Sequence, residues 1–196
     1  MKNESENGDT GTGASVCCAP ILDVCCGSRM FWFDKNDNRA TFIDKRCETV
    51  RTDSRQGRRE IVVNPDIIGD FTDLPFADES RALVVFDPPH LTRNGKNSWM
   101  AKKYGRLEGN WKEEIRKGFA ECFRVLKNEG VLVFKWNELD VPVSQILELA
   151  APEKPLFGNR SGKASRGHWI VFMKTHNNHY TNGRNQQKEG YNYGRN

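Results

Sequence analysis

A chain of 196 residues with a formal charge of +4 is long enough for one domain with a buried core, and only mildly basic overall. No apolar run approaches the roughly 20 residues of a membrane helix and no secretory apolar segment stands out, so a cytoplasmic protein with no membrane contact is expected. The cysteines fall as Cys17-Cys18, Cys25-Cys26, Cys47 and Cys122 without CxxC spacing, which suits reduced thiols and no metal, because adjacent cysteines are poor joint ligands for one tetrahedral ion.

In chain order, residues 1–19 are mostly polar and glycine-rich and read as a disordered tail. Too little apolar surface is present there to offset the entropy of ordering. "ILDV" (21–24) predicts a strand, closed by the small-residue turn "CCGS". "MFWF" (30–33) can start a short helix, and "ATFID" (40–44) predicts a second strand ending on Asp44. "CETV" and "EIVV" flank "RTDSRQGR", a two-stranded excursion around a Gly turn. "PDIIGDF" (65–71) and "RALVVFD" (81–87) are the third and fourth strands.

The clearest helix is 111–126, where Trp111, Ile115, Phe119, Cys122, Phe123 and Leu126 make one stripe at helical spacing. Asn110 can cap it, with Glu113 placed to reach back. "KNEG" (127–130) ends it, and "VLVFKW" (131–136) is a buried strand. A helix near 142–150 follows, then "PLFGN", a basic loop, and a last strand "HWIVFMK" (168–174) that closes a hairpin at or near a sheet edge. Residues 175–196, rich in Asn and Gly, read as a second disordered tail, leaving 20–174 as the domain. Alternating strand and helix predicts an α/β fold with a mostly parallel sheet.

Basic residues are unevenly spread. From Arg93 to Lys117 eight Lys/Arg stand against three acids, with Trp99, Tyr104 and Trp111 among them. Smaller clusters are Arg51, Arg55, Arg58 and Arg59, and Arg160, Lys163 and Arg166. Each alone reads as a solvated surface; gathered around one site they would suit a polyanion with exposed bases.

Open parallel sheets bind ligands beyond the carboxyl ends of their strands. Acids sit at those ends here: Asp23 after the first, Asp44 after the second, Asp70 with Phe71 after the third, and Asp87-Pro88-Pro89-His90 after the fourth. An acid at the end of the second strand is where such folds hold a ribose. The prolines fix their own φ and bias Asp87 to extended backbone, so the fourth strand ends on a stiff loop.

The stretches "ILDVCCGS", "FID", "DIIGDFTDLPFADES", "FDPPHL" and "FRVLKNEGVLVFKW" together resemble the Rossmann-like, S-adenosylmethionine-dependent methyltransferases over about residues 20–174. Asp-Pro-Pro followed by an aromatic residue or His is the most specific of them, arising by chance in about one such chain in a few hundred. "DVCCGSRMFWFDK" is also similar to compact methyltransferases of phages and prophages. The resemblance implies a Rossmann-like three-layer sandwich with a seven-stranded, mostly parallel sheet and one antiparallel strand from a C-terminal hairpin. It implies S-adenosylmethionine as cofactor, with Asp23 and the turn Cys25, Cys26, Gly27 and Ser28 at its methionine end. Asp44 would take the ribose hydroxyls, and Asp70 with Phe71 the adenine. This turn departs from the usual glycine-rich pattern in carrying two cysteines, which would either weaken cofactor affinity or, the favoured reading, serve as small residues.

Similar enzymes with this motif methylate an exocyclic base amine, adenine N6 or cytosine N4. In that reading Asp87 and the Pro88 carbonyl accept the two amine hydrogens, Pro89 stiffens the loop, and His90 stacks on the base. Arg93, Lys102, Lys103 and Arg106 would bind the nucleic acid. No separate target-recognition domain is evident, so a protein partner, structured RNA or a single strand would supply specificity. The alternatives are a methyltransferase for a small molecule or protein amide, and an inactive nucleic-acid-binding relative. A dinucleotide-dependent oxidoreductase ranks lower, because no G-x-G-x-x-G follows the first strand.

Overall fold

The computed structural model describes residues 19–54, 57–93, 95, 98–160 and 166–175, without the side chains of 52–54, 58, 59 and 160. The two expected tails therefore lie outside the described residues, apart from Ala19 and Thr175. The short apolar runs become β1 (Ile21–Asp23), β2 (Ala40–Asp44) and β6 (Arg81–Phe86). Between them, β3 (Glu48–Ser54) and β4 (Gly57–Val63) pair as the expected antiparallel hairpin, a separate two-stranded sheet. The third strand is shorter than its sequence suggests: β5 is only Ile67–Ile68. Asp66 on its near side is spent accepting the Phe42 amide, and Gly69 already turns back to the Asp44 carbonyl.

Helix α1 (Trp99–Tyr104) is capped by Ser98 and ends at Gly105, whose φ of 73° a residue with a Cβ rarely adopts. Helix α2 (Trp111–Val125) follows, with its first-turn amides served by the Asn110 carbonyl and no side-chain cap, contrary to the expected capping box. Strand β7 (Leu126–Asn137) begins directly after it, five residues earlier than the apolar run suggests. Glu129, at φ 62°, donates its amide to Lys174 and so keeps "KNEG" in the sheet. Helix α3 (Val143–Leu147) and a 3-10 turn at Glu148–Ala150 precede the hairpin of β8 (Phe157–Arg160) and β9 (Gly167–Met173).

The seven-stranded sheet runs β5-β2-β1-β6-β7-β9-β8. All neighbours are parallel up to β7; β9 is antiparallel to both β7 and β8. This is the Rossmann-like arrangement, and chain order reverses between β1 and β6, where such sheets open a crevice at their carboxyl edge.

One sheet face carries the main core. Leu22, Val84, Phe86, Leu132, Phe134, Trp136, Ile170 and Phe172 meet Ile115, Phe119 and Cys122 of α2, all essentially inaccessible. Each such side chain contributes about 1.5–3 kcal/mol in area terms. Gly118 lets the helix approach: a Cβ there would lie 2.7 Å from both Phe71 and Phe86.

On the opposite face the third layer is, among the described residues, the aromatic segment 24–39. The expected helix at 30–33 does not form. Arg29 sits at φ 54°, and the next aromatics diverge, Phe31 onto Trp169 and Trp32 onto Phe42. No described helix is long and apolar enough to cross a membrane.

Candidate active site

The carboxyl ends of β1, β2, β5 and β6 converge on a cleft of about 430 Å3, a size typical of small-molecule sites. Its first wall is the turn after β1. The Cys26 amide donates to the Ile43 carbonyl and the Gly27 amide to Asp44 Oδ2 at 2.9 Å, so the turn is stitched to the end of β2. Gly27 has φ 51°, which explains a glycine between Cys26 and Ser28. Burial pushes the Cys25 thiol well up and the Cys26 thiol to about 12, so both stay protonated, behaving as small neutral residues.

Asp44 is 7% exposed and borders the cleft. Its Oδ1 accepts the Arg46 amide at 2.9 Å and Arg46 Nε at 3.3 Å. A carboxylate has about four lone-pair sites, and with three of them taken one on Oδ2 is left for a ligand. Arg46 also reaches the Lys102 carbonyl and thereby ties the end of β2 to α1.

Asp23 is different. It is sealed, 0% exposed, and absent from the cleft wall. Oδ1 accepts the Cys25 amide at 3.3 Å, and Oδ2 the indole N–H of Trp32 at 2.7 Å. Burial pushes its carboxyl up to about 7 against the pull of those donors. Asp23 shapes the turn from behind.

The loop after β6 forms the floor. Asp87, Pro88, Pro89 and His90 all border the cleft. Asp87 Oδ2 accepts from Lys135 Nζ at 2.6 Å, while Oδ1 has no hydrogen bond among the described residues. Pro89 supports the end of α1, since a Cβ on Gly105 would fall 3.1 Å from its ring. His90 is only 7% exposed, held 5.5 Å from Tyr104 and 6.3 Å edge-on to Trp136. Burial, helped by the Lys135 charge, pushes it down to about 4, so the ring is neutral at pH 7. Most of its surface is thus already packed against protein, leaving a limited edge for stacking.

Of the residues singled out from sequence, the cleft brings together Cys25, Cys26, Gly27, Ser28, Asp44, Phe71, Asp87, Pro88, Pro89, His90, Lys103 and Arg106. It leaves out Asp23, Asp70, Arg93 and Lys102. Asp70 closes its own turn by accepting from the Thr72 amide and hydroxyl. The Arg93 amide is drawn toward Asp140, and Lys102 presents its carbonyl to Arg46. Lys45 and Arg46 add cations to the rim that sequence reasoning passed over. In the hairpin cluster only Arg51 has a described side chain, paired with Glu60 at 2.9 Å. Arg55, Lys163 and the side chains of Arg58, Arg59 and Arg160 lie outside the described residues.

No protein-family model matches the chain, and no curated protein matches it either. Solved structures do resemble it. A protein of Pyrococcus horikoshii OT3 is 16% identical with a TM-score of 0.51, over 79% of this chain and 81% of its own. A SAM-dependent methyltransferase of Methanosarcina mazei is 12% identical with a TM-score of 0.49, over 79% and 92%. A TehB-like SAM-dependent methyltransferase of Corynebacterium glutamicum is 14% identical with a TM-score of 0.49, over 81% of both chains. The Pyrococcus likeness is one of overall fold.

Proposed function

We propose that this chain is an S-adenosylmethionine-dependent methyltransferase acting on an exocyclic amino group of a nucleobase, adenine N6 or cytosine N4, in DNA or RNA. The observation that carries the reading is that the turn held by Asp44 and the Asp87-Pro88-Pro89 loop border one cleft. The residues suit the cofactor: Asp44 retains an acceptor site on Oδ2 for a ribose hydroxyl, and the edge of Phe71, beyond β5, gives a small apolar contact for adenine. Bound there, S-adenosylmethionine supplies an electrophilic methyl on a sulfonium.

The chain's own residues prepare the nucleophile. A base amine is weak because its lone pair is delocalised into the ring. Asp87 Oδ1 and the Pro88 carbonyl can accept its two hydrogens, which turns the lone pair out of the ring plane. Preorganised acceptors lose nothing to reorientation during reaction. Asp87 is then placed to receive the proton that the nitrogen gives up as the N–C bond forms.

Lys45, Lys103 and Arg106 on the rim suit a phosphate backbone, which would compete with Glu114 for Lys45 and with Glu108 for Arg106. A separate recognition partner fits the small size of the domain. A small-molecule acceptor is the second reading, favoured by the enclosure of His90 behind Tyr104. Labelled methyl transfer to total RNA, single- and double-stranded DNA, and free nucleosides separates them. Transfer to polymer supports the proposal. Transfer to nucleosides alone selects the small-molecule reading, and none to any acceptor refutes both.

A further inference from the structure

Phe86 of β6 lies opposite Phe134 of β7 in parallel register, so Asp87 and Lys135 are the next pair along the two strands. The Lys135 ammonium stands 5.5 Å from the ring centre of Phe31 and 5.6 Å from that of Trp169. Those two rings meet edge-to-face at 5.4 Å. A lysine in a strand reading "VLVFKW" is costly unless it is paired, and here one carboxylate and two aromatic faces hold it. Such a seat removes most of the rotamer freedom that makes lysine a poor fixed partner.

We propose that Lys135 is a positioning residue for the Asp87 site: it anchors the carboxylate through Oδ2 and favours its charged form, so that Oδ1 alone is offered to the substrate amine. The proposal rests on the amino-methyltransferase reading above. The prolines fix the backbone of the loop, but they do not fix a carboxylate about its own side-chain torsions. Lys135 supplies that constraint from a different strand.

Its effect on charge has the same origin. Burial is the larger influence and leaves the Asp87 carboxyl above its ordinary value, while the Lys135 charge and hydrogen bond limit that rise. Around Asp87, Asp23 and Cys25 approach from the end of β1, His90 from its own loop, and Lys103, Tyr104 and Arg106 lie across the cleft. Asp23 raises the cost of a second negative charge, and Cys25 and His90 are neutral at pH 7. Lys135 is the cation in hydrogen-bond contact with Asp87. A protonated Asp87 would present a donor where the amine needs an acceptor.

The test compares Lys135→Met, Lys135→Gln and Lys135→Arg with the wild type. Asp87 is followed by carboxyl-carbon NMR, its signal assigned with Asp87→Asn. In the Met and Gln variants the Asp87 titration should move up by about one pH unit or more. The kcat for methyl transfer at pH 7 should fall about tenfold or more, with the acidic limb of the pH profile moving in step. Affinity for S-adenosylmethionine should stay within about threefold, and Lys135→Arg should keep the wild-type titration. An unmoved Asp87 titration in Met and Gln overturns the proposal, as does a moved titration with unchanged kcat. If the wild type transfers no methyl to any acceptor, the functional reading fails, while the NMR titration still decides whether Lys135 controls Asp87.

Discussion

Asp23 makes stability depend on pH in a direction opposite to most carboxylates. Its carboxyl is pushed up to about 7 in the folded protein from an ordinary 3.8, so the native state holds a proton that the unfolded chain releases. The native state binds more protons between those values, and stability therefore falls as pH rises through that window. The contribution is fully present below about pH 4 and lost by about pH 8. A gap of roughly three units at 1.36 kcal/mol each is about 4 kcal/mol, undiminished by solvent because the side chain is 0% exposed.

His90 works against this, since its depressed value near 4 costs stability as pH falls below its ordinary 6.5. The wild-type curve alone will look flatter than either group. Asp23→Asn isolates the carboxyl, because His90 titrates in both proteins. Asn keeps one of the two acceptor oxygens that face the Cys25 amide and the Trp32 indole, and the lost one adds an offset that does not vary with pH. Urea unfolding of both proteins from pH 4 to pH 8 gives the difference directly. Wild-type stability relative to Asp23→Asn should drop by about 4 kcal/mol across the range. A pH-independent difference would refute the reasoning, and a difference growing the other way would mean Asp23 is stabilised as a carboxylate.

Asp44→Ala should weaken S-adenosylmethionine binding about ten- to hundredfold in calorimetry, while Asp87→Ala changes it little, because Asp44 holds the turn and in the proposed reading would also hold the ribose; equal effects would overturn the assignment. His90→Phe should keep methyl transfer within about tenfold of wild type, whereas His90→Ala should lose more, since the neutral ring packs and does not ionise. If Phe is as inactive as Ala, the imidazole is making a hydrogen bond in catalysis. Replacing Lys103 and Arg106 with Ala should reduce the slope of log affinity against log salt by about one to two for nucleic acid, and an unchanged slope returns both to ordinary surface.

β2 and β6 were the most legible strands, because each is an apolar run that ends at an Asp. β2 and β6 fall where the residues place them, and the closing hairpin puts β9 antiparallel inside the edge strand. Segment 24–39 was opaque, because Phe31 and Trp32 read as the start of a helix until their partners are known. Those partners, Trp169 and Phe42, are distant in the chain.

Within the site, four strand-end acids look equivalent in one dimension. Only packing separates Asp44, which borders the cleft, from Asp23, which is sealed behind Trp32, and Asp70, which closes a turn. Helix α1 went unforeseen, although Ser98 and Gly105 bracket it with ordinary capping residues. Lys135 had a signal too. A single charge inside a buried strand needs a partner, and the register with β6 supplies Asp87.

In the proposed function the Asp87 loop directs methyl transfer to a base amine. Incubation with S-adenosylmethionine carrying a deuterated methyl group, followed by digestion of the nucleic acid and nucleoside mass spectrometry, tests it most directly. Mass-shifted N6-methyladenine or N4-methylcytosine should form and should disappear with Asp87→Ala. Label on a ring carbon or a ribose hydroxyl, or amine label that survives Asp87→Ala, would contradict it.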